Sequence, residues 1–273
     1  MILFNHIYVL GREELRELFF RVRSFLSLLL YIGIFVLAIR GFVEADKRVG
    51  EAIGQDDRIA ETFARVINEL QFFQSGDLAR EALQWPIVFP LFQFLVVIWL
   101  PTFVAIVSCD MISSDISRGT LRYVMTRTSR SAYYLSKLIS HFIMYLGLQC
   151  LIYLLLMGGV LVFSDRIDFE QAWRPILTHA VVFVPYLFFL VTTTQFVSAL
   201  SRKSFSAILK VHLLWLVFMI MMVQWSDGPL TWRHFLGVIL PFGTLGQESL
   251  IAFGSWGLAF LLLGMFFFKR RAI

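Results

Sequence analysis

Long apolar stretches separated by short charged ones set the pattern of this chain. Five of them, residues 24–43, 85–109, 138–163, 176–200 and 207–225, reach the roughly 20 apolar residues that a helix needs to cross the hydrocarbon core of a bilayer. A sixth, residues 250–268, stops at Lys269-Arg270-Arg271. None alternates polar with apolar positions as a barrel strand does, and a backbone in lipid must close its hydrogen bonds within the segment. The pattern predicts an all-α integral membrane protein, one transmembrane domain over residues 1–273 with six membrane-crossing helices.

Three regions outside the spans carry patterns of their own. Residues 1–23 include Arg12-Glu13-Glu14-Leu15-Arg16-Glu17-Leu18-Phe19-Phe20, in which Leu15, Leu18 and Phe19 share one helical face. That spacing predicts an amphipathic helix lying at the inner interface, with a simple charged leader as the alternative. Residues 44–84 form a segment too long for a structureless loop. Within it Ile59, Phe63, Val66, Ile67, Leu70 and Phe73 recur at helical spacing, Asp56 or Asp57 can cap the start, and Gly76 can end it. The stripe of this outer helix must cover the membrane surface, the other spans or a partner. Residues 226–249 are half-apolar but broken by Pro229, Pro241, Gly243 and Gly246, which predicts short helices dipping partway into the outer leaflet as a re-entrant segment.

Composition sharpens this reading. Hydrophobic residues make up 58% of the chain and charged ones 16%, against roughly 45–50% and 25% in soluble domains. Lipid must therefore cover part of the surface. The formal charge of +5 does not imply a nucleic-acid partner, because the basic residues fall in short groups between apolar runs. Most Lys and Arg gather before the first span, between the second and third, between the fourth and fifth, and at the end; most Asp and Glu gather in the other loops. By the positive-inside rule both termini face the cytoplasm, and Trp85, Trp173, Trp225 and Trp232 then fall at the outer boundary. The first apolar run lacks an A-x-A-like cleavage site and reads as a retained span.

Candidate chemistry is sparse. Cys109 and Cys150 have no metal-site spacing, and His6, His141, His179, His212 and His234 are scattered without an H-E-x-x-H pattern. Met219, Met221 and Met222 read as packing residues. Gln149 and Gln195 lie mid-span, where hydrogen bonds between helices suit them, while Lys210 and Arg40 can snorkel to opposite surfaces. No G-x-x-x-x-G-K-[ST] sequence occurs, so no P-loop for ATP is recognisable. No catalytic residue and no metal ligand emerges.

The informative stretch is the loop 110–137. It is polar and basic, yet Ile112, Ile116, Leu121 and Val124 are too many apolar residues for a solvated linker, and Gly119-Thr120 would break or re-aim a helix. It predicts a short helix docked on something cytoplasmic, with Asp115, Arg118 and Arg122 available for charge pairing. Here the chain resembles the ABC-type-2 permeases, the membrane subunits of ATP-driven exporters. Their loop after the second span reads as an acidic residue, a gap, a second acidic residue, Gly-Thr-Leu, a Ser/Thr-Arg-Pro-x-Ser-Arg-like turn and Gly-Lys before the third span. This chain matches with Asp110, Asp115, Gly119-Thr120-Leu121, Thr126-Arg127, Ser129-Arg130 and Lys137. It departs in having Asp115 where Glu is usual, in a turn one residue shorter and without its Pro, and in Ser136 for the Gly. An inner helix at 11–23 and Leu240-Pro241-Phe242-Gly243 before the last span extend the likeness.

The resemblance implies two copies of this chain with two copies of a separate ABC ATPase subunit, which holds the ATP and Mg; this chain binds no cofactor itself. It implies a multi-pass protein of the inner (cytoplasmic) membrane of a prokaryote. Residues 110–137 would be the ATPase-coupling loop, through Asp110, Asp115, Arg118, Gly119, Thr120, Leu121, Arg122, Arg127 and Arg130. Arg12, Glu13 and Arg16 of the first helix, with Arg202 and Lys203, would make secondary cytoplasmic contacts. Two readings from other classes stand beside this one: a non-transporting anchor that passes ATPase motion to a periplasmic partner at the outer helix, and an intramembrane enzyme.

Overall fold

Apolar side chains around the whole circumference of a segment leave the helix as its only stable form in lipid. The computed structural model describes residues 2–20, 22–55, 86, 88–164, 167–224, 232–239, 241 and 243–271, and every regular element among them is a helix. In chain order these are α1 (Ile2–Phe20), α2 (Val22–Gln55), α3 (Val88–Ser108), α4 (Ser113–Ser117), α5 (Thr120–Met125), α6 (Arg130–Phe163), α7 (Phe169–Leu200), α8 (Ser204–Gln224), α9 (Trp232–Ile239) and α10 (Gly243–Arg270). Five of them, α2, α3, α6, α7 and α10, are long and apolar enough to cross a membrane. The predicted span 207–225 lies on α8, whose apolar part Ser204–Phe218 falls short of that standard among the described residues.

The centre of the bundle is α7. Leu187, Phe189, Leu190, Val191 and Thr192 to Gln195 are all fully buried, whereas α2 buries one narrow stripe, Tyr31, Phe35, Ile39 and Val43, and exposes Leu26, Leu30 and Leu37. An apolar surface of that kind is what lipid solvates. The last helix, α10, lies along α7 in the most extensive contact of the fold. Gly257 permits the approach, since a Cβ there would stand 2.5 Å from the Phe188 ring, and two turns on Gly264 makes room for α6, since a Cβ there would meet the Tyr134 hydroxyl.

One proline inside a helix is tolerated because another helix supplies the missing donor. Pro101 in α3 has no N–H for the carbonyl of Val97, and Tyr186 Oη of α7 donates to that oxygen at 3.0 Å. Neighbouring ends of three helices are stapled in a related way. Arg130 Nη1 at the start of α6 donates to the carbonyls of Lys269 (2.6 Å) and Arg271 (2.8 Å), while Arg271 donates to the carbonyls of Ala199 in the last turn of α7 and of Ser201 just after it. A guanidinium on the last carbonyls of a helix also opposes its dipole.

The broken stretch before the last span contains α9, a helix of eight residues packed on α3, α7 and α10. Its end is held by His179, whose Nε2 lies 2.9 Å from the Ile239 carbonyl, and its start by Ser249 Oγ, which donates to the His234 carbonyl at 2.7 Å. The predicted outer helix bearing Ile59, Phe63, Val66, Ile67, Leu70 and Phe73 lies outside the described residues, as do Asp56, Asp57, Gly76, Trp85, Trp225 and residues 226–231.

Candidate functional site

The loop between α3 and α6 is held on its inner side by three kinds of contact. The first is a helix cap from a distant element. Ile112 precedes α4 and has no side chain to cap it, and Ser198 Oγ of α7 instead accepts from the backbone N–H groups of Ile112 (3.0 Å) and Ser113 (3.1 Å). Two donors that a helix start leaves unsatisfied are thereby closed. The second is apolar: Ile112 and Leu121 are buried to within 1% exposure, and Ile116 and Val124 pack against the same core. From these four apolar positions the sequence predicts a short helix docked on something cytoplasmic; here they pack against the chain's own core instead. Between the two short helices Gly119 adopts φ +72°, a left-handed conformation that side-chain-bearing residues rarely take. The chain turns there, so α4 and α5 are two helices and not one.

The third contact is ionic and buried. Lys137 Nζ, in the second turn of α6, bonds Glu14 of α1 and lies 3.2 Å from Asp115 Oδ2 of α4. Lys137 is 8% exposed and Glu14 6%. Asp115 also accepts from the Tyr133 hydroxyl and, at 3.2 Å, from Thr120 Oγ1, which ties α4 to the first residue of α5. The ammonium of Lys137 stands 5.5 Å from the centre of the Tyr133 ring. Burial pushes the Asp115 carboxyl up, but the Lys137 charge and the hydrogen bonds from Tyr133, Lys137 and Thr120 outweigh it and hold the group below its ordinary value. Two carboxylates thus share one ammonium in a nearly dry site.

On the outer side the loop shows a basic surface. Arg118, Arg122 and Arg127 are exposed, and Tyr123 among them is 78% exposed. This arrangement can seat a complementary acidic surface; it contains no nucleophile–base pair and, among the described residues, no metal-holding group of side chains.

A family model described as "ABC-2 family transporter protein" matches residues 12–231. The chain belongs to that family. It is a multi-pass membrane protein and a membrane component of transport. No curated protein matches it. The family match takes in Glu14, the whole of α4 and α5, Lys137 and Ser198.

In this ABC-2 chain the residues singled out from sequence fall into separate groups. Asp115 and Leu121 lie on the inward face of the loop, Gly119 and the exposed Thr120 at the turn between its two helices, and Arg118, Arg122 and Arg127 on its outward face, with Asp110 half-buried at the turn after α3. Arg130 belongs to neither face, since its guanidinium holds the end of α10. Arg12, Glu13 and Arg16 are exposed along α1, and Arg202 and Lys203 are exposed in the turn between α7 and α8. Gln195 makes the expected bond between helices, donating to the Tyr134 carbonyl at 2.7 Å. Gln149 is buried one turn from Tyr153 on the same helix, α6.

Sequence reasoning passed over Glu14, Tyr133 and Ser198, and read Lys137 only as part of a motif. The signal for Glu14 was its register, since it shares the buried face of α1 with Gly11 and Leu18 while its acidic neighbours do not. A second signal starts at Lys137. Lys137, His141, Tyr145, Gln149 and Tyr153 recur every four residues, are all buried, and form a polar stripe along α6.

Proposed function

We propose that this chain is the permease subunit of an ABC exporter, driven by a separate ATPase that docks on the α4–α5 loop. One observation carries the reading: the loop is fixed on its inner face by Ser198, Leu121 and the Asp115–Lys137 contact while presenting Arg118, Arg122, Tyr123 and Arg127 outward. A loop that only joined two spans would need no such anchorage. A rigidly held basic surface suits an acidic groove on a partner, and because it is anchored to α6 and α7, force applied to it reaches the spans. Transport then follows from a difference in the free energy of this contact between two arrangements of the helices, set by ATP bound to the partner. The permease itself performs no bond chemistry.

In this reading α8 makes the sixth crossing, α9 is the re-entrant element on the outer side, both termini are cytoplasmic, and two permease copies pair with two ATPase subunits in the inner membrane. Mechanical transmission to an outer partner remains a second reading on a specific observation. With 34 residues α2 is far longer than one crossing requires, about 50 Å of helix against a hydrocarbon core of about 30 Å. It therefore extends toward the segment that carries the predicted outer helix.

The test is purification of the full chain in detergent from its native host, followed by ATPase retention and substrate-stimulated hydrolysis. Arg118→Glu and Arg122→Glu are exposed changes and should leave the chain folded while releasing the ATPase. Raised salt should weaken the wild-type contact. A wild-type chain that recruits no ATPase refutes the reading.

A further inference from the structure

The Glu14–Lys137–Asp115 site holds one more negative charge than its contacts call for. Lys137 and Asp115 alone would be a balanced pair, with Tyr133 and Thr120 completing the carboxylate. Glu14 adds a second buried carboxylate to the same ammonium, and its Oε1 has no hydrogen-bond partner among the described residues. A buried, half-satisfied charge is costly and needs a reason.

We propose that Glu14 is a positioning residue whose charge keeps the Asp115–Lys137 contact reversible, so that the α4–α5 loop can leave its seat. The inference rests on the coupling reading above for its meaning in transport, but not for its test. Without Glu14, moving Asp115 away would strand a buried ammonium, which is a strongly disfavoured state. With Glu14 in place Lys137 stays neutralised whichever way Asp115 goes. Glu14 also repels Asp115, since both carboxylates meet at one nitrogen. The asymmetry of the site indicates which contact gives way. The Lys137–Glu14 pair is the deeper one, with side-chain exposures of 10% and 7%, while Asp115 is 19% exposed and sits on a five-residue helix beside the Gly119 turn. Glu14 lies on the 19-residue α1, which is pinned to α6 a second time by Ser140 Oγ donating to the Gly11 carbonyl at 2.9 Å. The loop is therefore the part that moves, and α1 is the part that stays.

The sign of one measurement separates this role from simple docking of α1. Amide hydrogen exchange across residues 110–126 is measured by mass spectrometry on the full chain in nanodiscs, without ATPase, for wild type, Glu14→Gln and Ser140→Ala. Glu14→Gln keeps the shape and leaves a balanced Lys137–Asp115 pair, so exchange in the loop should slow several-fold. Ser140→Ala, which removes the hydrogen bonds of Ser140 Oγ to the Gly11 and Ser136 carbonyls and leaves every charge in place, should leave loop exchange unchanged. Faster or unchanged exchange in Glu14→Gln overturns the proposal, as does loosening of the loop by both variants alike. With the co-purified ATPase, the slowed Glu14→Gln chain should still bind it but lose substrate-stimulated hydrolysis. An ATPase that never co-purifies sinks the coupling reading and leaves the exchange result standing by itself.

Discussion

The Gly119 turn permits a prediction whose size follows from its geometry. Its φ of +72° lies in the left-handed region, and a Cβ added there would have no atom within 4 Å. The cost of a side chain is therefore backbone strain alone, about 1–2 kcal/mol for Ala, with Asn below that because it tolerates this conformation. Since crowding does not enter, Leu should cost no more than Ala. The strain disfavours only the two-helix arrangement of the loop, so the population competent to bind a partner falls by a factor of roughly 5–30. The affinity of the co-purified ATPase for the permease in nanodiscs, measured by biolayer interferometry, should rank Gly119 above Gly119→Asn above Gly119→Ala, with Gly119→Leu equal to Ala. Thermal unfolding of the helix bundle should change little, because α4 and α5 are a small part of the core. The reasoning is refuted if Leu is much worse than Ala, which would reveal a packed site, or if Ala binds as well as the wild type.

Two further outcomes follow from buried positions. Gly264→Ala should lower thermal stability in detergent by about 1–3 kcal/mol through overpacking, because its Cβ meets the Tyr134 hydroxyl. Tyr134 Oη has no hydrogen-bond partner among the described residues, so Tyr134→Phe should be neutral or stabilising alone and should rescue Gly264→Ala in part; strict additivity of the two would contradict the contact. Asp115 is held below its ordinary value of 3.8, so its contribution is present above that pH and lost as pH falls through the lower, folded value. Loop protection measured by exchange, corrected for intrinsic rates, should drop in that acidic window in wild type and show no such step in Asp115→Asn.

Helices were legible because lipid leaves a chain little choice, and the same physics explains where their ends were missed. Apolarity reports only the part of a helix that lipid touches. The first span ends by that criterion at 43 and the third begins at 138, whereas α2 continues to Gln55 and α6 begins at Arg130. The apolar face of the loop was legible as well, since Ile112, Ile116, Leu121 and Val124 have no reason to sit in a solvated linker and Gly119 marks the turn. The sequence did not show, however, that this face packs on the chain's own core and not on a partner. Its charges were harder to sort. Arg118, Arg122, Arg127 and Arg130 look alike in a sequence, and only the nearness of the end of α10 sets Arg130 apart. Ser198 offered no signal, because it caps a helix 85 residues away along the chain.

Glu14 is the instructive miss. Counted with Glu13 and Glu17 it disappears into a charged leader, but successive helical residues point about 100° apart, and only Glu14 falls in line with Gly11 and Leu18. An acidic residue on the buried face of a helix has to meet a cation inside the protein, and the polar stripe of α6 supplies one at its end. Lys137 opens that stripe, and Tyr145 further along shares a hydrogen bond with Ser108 while Tyr153 donates to Gln93 Oε1 at 2.8 Å. Both partners lie on α3, the helix that leads into the loop. The loop is thus flanked by two helices joined to each other by polar contacts along their buried faces. The bonds at Ser108 and Gln93 thus fix α3 to α6 at two levels beyond the loop, with a directionality that a purely apolar interface would not supply.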